Sequence, residues 1–455
     1  MFRYDPNSLS FNTSTALRTI YSHPKADIQK ADRYSINAPN KEAQSTFNVI
    51  DRRSHARKRR VLSHAFSDHA IKSIQDYVVN NVTVFTDVIG EKRPPPADVV
   101  VQEETGEKGW TRPQNMSRLC DWLTFDIMGD LCFGKAFGML ERPDTHFVAD
   151  LIAQASRRNF ICGTWPILAK LHLDRLFFPT LAVGRHKFMA FGRQQAKERT
   201  ELGDKTNRKD FFYYLLNAKD PETGEGYSAQ ELWGEASLLI IAGSDTSSTA
   251  LSSAFFYLGH NPQPLARLEK EILSTFSSVE EIVSGPKLNS CTYLRGCIDE
   301  SMRMGSPVGG ILPRKILSSS MEIDNHFIPA GINVGIASYA LHHNPEYYPS
   351  PYTFKPERFL PEFTSEDDVA VAQSAFCPFS IGKRGCIGKG LAYTELVTVL
   401  ARTVYLYEMK LASQFHIGEG NPELGIMRNK KEEFQLWDTF TSRKDGPYMQ
   451  FRART

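Results

Sequence analysis

Apolar residues recur at three- and four-residue steps over residues 119 to 140 (LCDWLTFDIMGDLCFGKAFGML), over 228 to 259, and over 388 to 407. That spacing lays one face of an α-helix against a core, so each stretch predicts a core helix. The second opens on the capping box Ser228-Ala229-Gln230-Glu231 and meets Asn261-Pro262 as its stop, which predicts one helix long enough to span a domain. Midway its apolar run LLIIA gives way to Gly243-Ser244-Asp245-Thr246-Ser247-Ser248. A glycine followed by an acid and an alcohol costs helix stability. The break is either a tolerated polar face or a turn loosened for chemistry, since a threonine at position 246 can bond the carbonyl of Ala242 and make room for a small ligand. Residues 321 to 335 (MEIDNHFIPAGINVG) alternate apolar and polar around Asp324-Asn325 and Pro329-Ala330-Gly331, the pattern of a hairpin and a turn. Residues 93 to 109 (RPPPADVVVQEETGEKG) read as an exposed connection. No internal repeat interrupts this pattern. The fold class expected is mainly α with a smaller β region (α+β).

Composition narrows the function classes. The 455 residues are 41% apolar and 23% charged, ordinary globular usage that fits neither disorder nor a membrane bundle. Lysine and arginine exceed aspartate and glutamate by 54 − 52 = 2, too little to argue for a nucleic-acid binder. Seven cysteines, an odd number without a C-x-x-C pair, describe neither a disulfide scaffold nor a zinc cluster and fit a reducing compartment. The twelve histidines include no H-E-x-x-H, and His342-His343 is not read as a metal pair. The opening MFRYDPNSLSFNTSTALRTIY has neither a signal-peptide core nor the roughly 20-residue apolar run of a membrane helix.

One segment carries specific chemistry: Phe379-Ser380-Ile381-Gly382-Lys383-Arg384-Gly385-Cys386-Ile387-Gly388, leading directly into an amphipathic stretch. A cysteine at a helix start has backbone N–H groups and the helix dipole to favour its thiolate, and Gly382, Gly385 and Gly388 permit close backbone approach. A single thiolate beside an arginine and a shielding phenylalanine suits axial ligation of a haem iron. A phosphate loop fails on spacing, because Gly382 lies six residues before Gly388 and Gly390 stands where a hydroxyl is needed. A merely buried cysteine explains neither Arg384 nor the glycines.

This segment resembles, position for position, the F-x-x-G-x-R-x-C-x-G signature of the cytochrome P450 haem-thiolate monooxygenases. The resemblance implies Cys386 as the axial haem iron ligand, Phe379 as its shield, Arg384 on a haem propionate, and Gly388 as the closing glycine. It extends to the polar break, where Ala242, Gly243, Asp245 and Thr246 match [AG]-G-x-[DE]-T and imply Asp245 and Thr246 as the catalytic acid–alcohol pair that passes protons for oxygen activation. It assigns Glu300 and Arg303 of E-x-x-R, with Arg358 of Pro356-Glu357-Arg358-Phe359, to a structural charge network. In the basic run RRSHARKRR at residues 52 to 60, His55 and Arg59 match a pair that contacts propionates, and Arg314 matches a further propionate arginine. Arg53, Arg57 and Arg60 are then expected to face outward toward an acidic reductase.

The likeness runs through nearly the whole chain and predicts one domain over residues 1 to 455, incomplete at its N-terminus relative to the family. The wording around NVIDRRSHARKRRVLSHAFS is similar to filamentous-fungal, microsomal-type members, often tied to secondary metabolism. The implied oxidoreductase holds haem b and inserts one oxygen atom from O2 into an apolar organic substrate. Its electrons come from NADPH through NADPH-cytochrome P450 reductase. Such members usually sit at the endoplasmic reticulum membrane facing the cytosol; this chain shows no anchor, so its location stays open. By family position the substrate pocket draws on residues 34 to 50, 240 to 247, 308 to 311 and the segment near Trp437. A haem-thiolate isomerase or dehydratase that does not use O2, and a truncated non-catalytic haem binder, are the alternatives.

Overall fold

A computed structural model of the chain describes residues 1–97, 99–100, 109–203 and 208–454. The helices that position the site are α1 (Ser14–Tyr21), α2 (Arg52–Ser63), α3 (Met116–Phe133), α4 (Phe147–Thr164), α5 (Pro179–Leu202), α6 (Ala229–His260), α7 (Thr292–Met304) and α8 (Lys389–Leu406). The capping box forms as the spacing predicts: Ser228 accepts from the Glu231 N–H, and the Glu231 carboxylate accepts from the Ser228 N–H at 3.0 Å. The first periodic stretch ends sooner than expected. Gly134 takes φ +74°, a left-handed cap that closes α3 at Phe133, so the apolar residues as far as Leu140 pack from a loop instead of a helix. The proposed connection at 93 to 109 falls largely on residues 98 and 101–108, which lie outside the described residues.

The strands are β1 (Phe2–Asp5), β2 (Ser8–Phe11), β3 (Ile28–Lys30), β4 (Gln114–Asn115), β5 (Arg314–Ile316), β6 (Met321–Ile323), β7 (His326–Ile328), β8 (Asn333–Ile336), β9 (Tyr407–Leu411), β10 (Trp437–Thr439), β11 (Thr441–Arg443) and β12 (Tyr448–Ala453). The predicted hairpin is β6–β7, turning on Asp324 and Asn325 with φ of +47° and +62°. A five-stranded sheet has the order β1-β2-β8-β5-β3, with β2 parallel to β8 and β5 antiparallel to both its neighbours. Its register sets Lys30 directly opposite Arg314.

Two apolar cores result. The larger gathers α3, α5, α6, α7 and α8, with α6 packed along the other four. The smaller joins Leu9, Phe11, Leu17 and Ile20 to Val334, Ile336, Tyr348 and Phe359. The cysteine segment runs along the seam between them: Phe379 and Ile387 pack on the larger core, Ile381 on the smaller. Among the described residues, no helix is long and apolar enough to cross a membrane.

Candidate active site

The cysteine loop is held by its backbone. The Cys386 N–H donates to the Phe379 carbonyl at 2.8 Å, and the N–H groups of Gly388 and Lys389, at the start of α8, are directed at the thiol. Of the loop's three glycines, Gly382 alone takes positive φ, +72°, and a Cβ there would lie 2.0 Å from the Tyr21 carbonyl oxygen. Gly385 and Gly388 have φ of −60° and −79°, and a Cβ on Gly388 would make only an ordinary contact with the Cys386 sulfur at 3.8 Å, so neither position requires glycine for its backbone angle. Burial pushes the Cys386 thiol up, while the two N–H groups and the Arg59 guanidinium pull it back. Cys386 is the one exposed cysteine of seven, and what it is exposed to is an internal cavity.

That cavity measures about 330 Å³ and lies between the cysteine loop and the polar break of α6. Phe379, Arg384, Cys386 and Gly388 line one side; Ala242, Gly243 and Thr246 line another. The break is closely packed: a Cβ on Gly243 would fall 2.3 Å from the Met128 sulfur of α3, so the glycine leaves room for that side chain where the two helices meet. The Thr246 hydroxyl donates to the Ala242 carbonyl at 2.7 Å, and Ala242 is exposed to the cavity. Asp245 is not in the cavity wall. It turns to the opposite side of α6, where burial raises its carboxyl and Lys444 lies 3.9 Å away.

Around the cavity, among the described residues, stands a group of cations without an ion-paired carboxylate, though Asp51 acts on Arg384 from a distance. Arg384 donates to the Val49 and Ile50 carbonyls at 2.8 and 2.9 Å. Arg314 donates to Leu312 and Pro313 carbonyls at 3.2 and 3.1 Å, and Lys30 donates to the Phe47 carbonyl while lying over the Tyr34 and Phe47 rings. Arg59 reaches the Gly385 carbonyl at 2.7 Å, beside Cys386. His55 is buried on α2 near all four. His55 and Arg59 stand behind the cavity wall rather than in it. Among the described residues, none of these cations has a carboxylate within ion-pair distance. Burial and mutual repulsion accordingly push Lys30 well below the usual ammonium range, Arg384 down to about 10 and His55 down to about 3. Like charges are tolerated in such a place only when something anionic completes it. Haem b, with two propionates, an iron that takes a thiolate, and a flat apolar ring, fits this donor set. Lys30 escaped the sequence reading because only the β3–β5 register makes it a neighbour of Arg314.

The second charge cluster is complete in itself. Arg303 grips Glu300 with Nε and Nη2 at 2.7 and 2.9 Å, and Arg358 Nε reaches the same carboxylate at 2.9 Å. Glu300 and Arg303 are fully buried, and despite that burial the two guanidinium groups hold the Glu300 carboxyl below its ordinary value. The Arg303 Nη1 donates to the His342 carbonyl at 2.7 Å, and His342 Nε2 accepts from the Cys377 N–H at 3.0 Å. The network thus reaches the start of the cysteine segment through a neutral histidine that sequence reading left without a role.

The pocket draws on residues 34 to 50 and 240 to 247 as expected, and on the segment near Trp437 through Thr439 to Thr441, but of 308 to 311 only Val308 lines it. Ser156 and Asn159 of α4 and Met189 of α5 are additions. The basic run departs from expectation. Arg57 and Lys58 pair with Glu231 in the first turn of α6, and Arg60 with Asp220 and Glu222 in the segment before it, so these cations brace α2; Arg53 is exposed as expected, and Arg52 is exposed but paired with Asp27.

The sequence is similar to known proteins along nearly all its length. The family model described as Cytochrome P450 matches residues 11–435. The chain is 38% identical to Cytochrome P450 monooxygenase apf7 of Gibberella fujikuroi, over 99% of this chain and 86% of that protein. It is 36% identical to Cytochrome P450 monooxygenase AKT7 of Alternaria alternata, over 99% and 85% of the two chains. Cytochrome P450 monooxygenase atnE of Emericella nidulans is 37% identical, over 100% of this chain and 84% of its own. A thiol at a helix start facing an acid–alcohol helix across an uncompensated cationic cavity, together with these matches, makes the chain a member of the cytochrome P450 family, the haem-thiolate monooxygenases.

Proposed function

We propose that this chain oxidises an apolar organic substrate in fungal secondary metabolism, with Cys386 as the axial ligand of haem b. The observation that carries the reading is the cavity itself: it joins the Cys386 thiol, an uncompensated ring of cations and the Thr246 turn in one enclosed space. Haem bound there supplies oxygen activation and one-electron chemistry. The residues do the rest. Phe379 would cover the thiol side, Lys30, Arg314 and Arg384 would take the propionates with Arg59 and His55 supporting them from behind, and the Thr246 hydroxyl would pass protons at the cavity wall. Glu300, Arg303 and Arg358 keep the cysteine segment in place through His342. The isomerase and dehydratase reading is not favoured, because the acid–alcohol pair that such relatives tend to lose is present, with Thr246 bonded as described.

Electrons reach this family through a redox partner, which we take to be NADPH-cytochrome P450 reductase, docking where Arg52 and Arg53 remain exposed. Membrane association follows the family, and the connection between α4 and α5 supports it: Trp165, Ile167, Leu171, Leu176 and Phe177 are all more than half exposed. The test of the central assignment is spectroscopic. Reduced protein with carbon monoxide should show the red-shifted Soret band of thiolate ligation with one haem per chain, and Cys386→Ala should abolish the band. A band that persists in the variant would remove Cys386 from its role.

A further inference from the structure

Asp245 and Thr246 are neighbours in sequence and face different ways. Behind α6, the Lys444 side chain, 3% exposed, sets its ammonium 2.5 Å from Asp121 of α3 and 3.9 Å from Asp245. Ser248, one turn along α6, donates its hydroxyl to Asp121. Thr249 donates to the Asp245 carbonyl at 2.8 Å and to the Ser442 carbonyl at 3.1 Å, which fixes the end of β11, and so Lys444, against α6. Among the described residues, the groups acting on the Asp245 carboxylate are Asp121 from α3, Thr441 from β11 and Lys444 just after it, and Cys120 of α3 adjoins Lys444.

Among the described residues, the ion pairs of these two carboxylates are both with the Lys444 ammonium, one cation between two acids. A buried unit with that balance takes up a proton readily. Its outer end is the Asp121 side chain, 31% exposed; its inner end adjoins the Thr246 turn. We propose that Lys444 is a positioning residue: tethered to Asp121, it holds the Asp245 carboxylate on the solvent side of α6 and joins the two acids into one proton-holding unit behind Thr246. The inference rests on reading Asp245 and Thr246 as the proton path. A proton arriving past Asp121 binds a carboxylate oxygen of Asp245, loosening its ion pair with Lys444, and leaves toward the Thr246 hydroxyl. Lys444 keeps its own proton throughout: burial disfavours its charge, but Asp121 and Asp245 outweigh burial and raise it.

Two substitutions should act in opposite directions on the haem-loaded protein. Lys444→Met removes the cation, so Asp245 should hold its proton to higher pH, by about one unit. Asp121→Asn removes the competing acid and releases Lys444 to Asp245, so the same titration should move down. The readout is the melting temperature against pH. A carboxyl raised by folding loses its stabilising contribution as pH rises through its folded pKa, so that fall should move upward in Lys444→Met and downward in Asp121→Asn. Adding Asp245→Asn should erase both displacements, and Lys444→Arg should restore the parent curve. A loss of stability that is the same at every pH, or that persists unchanged with Asp245→Asn, assigns Lys444 a purely structural role and overturns the proposal. The underlying reading has its own check: Asp245→Asn should change the peroxide released per NADPH consumed with reductase. If it does not while the melting curves still move oppositely, Asp245 is clamped as described but is not the proton path.

Discussion

Two buried charge clusters flank the cysteine segment, and they are built on opposite plans. Glu300, Arg303 and Arg358 form a bidentate and a single-point ion pair on one carboxylate, with spare N–H groups spent on backbone carbonyls. Among the described residues, Lys30, Arg59, Arg314 and Arg384 have carbonyl oxygens, and Lys30 and Arg314 rings as well, but no carboxylate within ion-pair distance. The first cluster is finished by the fold; the second is finished by a ligand. A protein can afford an unbalanced site only where the missing charge arrives with the cofactor, so the imbalance marks the propionate end of the cavity independently of any motif.

Breaking the finished cluster should have the largest effect. Glu300→Gln leaves two buried guanidinium groups without their anion and should cost about 3–5 kcal/mol, read as a lower denaturation midpoint with and without haem. Breaking the unfinished one should depend on the cofactor. Lys30→Met should leave the apoprotein equal or more stable, because it removes a like charge opposite Arg314, yet should quicken haem loss to a scavenging apoglobin. The opposite signs are the content of the comparison, and equal signs would dissolve it. Acid should separate the clusters more gently. His55 has its folded pKa pushed down to about 3, against about 6.5 when unfolded, so the unfolded state binds the extra proton between those values and the apoprotein should lose stability as pH falls from about 6.5 toward 3. His55→Gln should flatten that slope in a melting series. Smallest of all, neutralising Arg52 and Arg53 together should leave haem content alone and slow reductase-dependent reduction only at low salt, since exposed charges steer through screened fields.

The parts legible in the sequence were those whose cause is local. A capping box and an Asn-Pro stop delimit α6, and ten consecutive residues carry the cysteine loop. The overrun of α3 past Phe133 was local too, but periodicity continued through Gly134 while the backbone did not. What escaped has distant partners. Arg57, Lys58 and Arg60 look like a free basic face until Glu231 and Asp220 are brought to them. Lys30 acquires meaning only from strand register, and Lys444 only from the meeting of β11 with α3 and α6. Charge runs state how much charge is present and say nothing of what will neutralise it.

The parallel pairing of β2 with β8 sets a schedule for biosynthesis. Ser8 to Phe11 leave the ribosome more than three hundred residues before Asn333 to Ile336 and must wait for them before their sheet can close. Lys30 waits for Arg314, and both wait for Arg384 and Cys386. Contacts this far apart in sequence form slowly. The walls of the cofactor cavity run from Leu17 to Thr441, so they come together only after Thr441 has been made, and haem capture follows the joining of these distant segments.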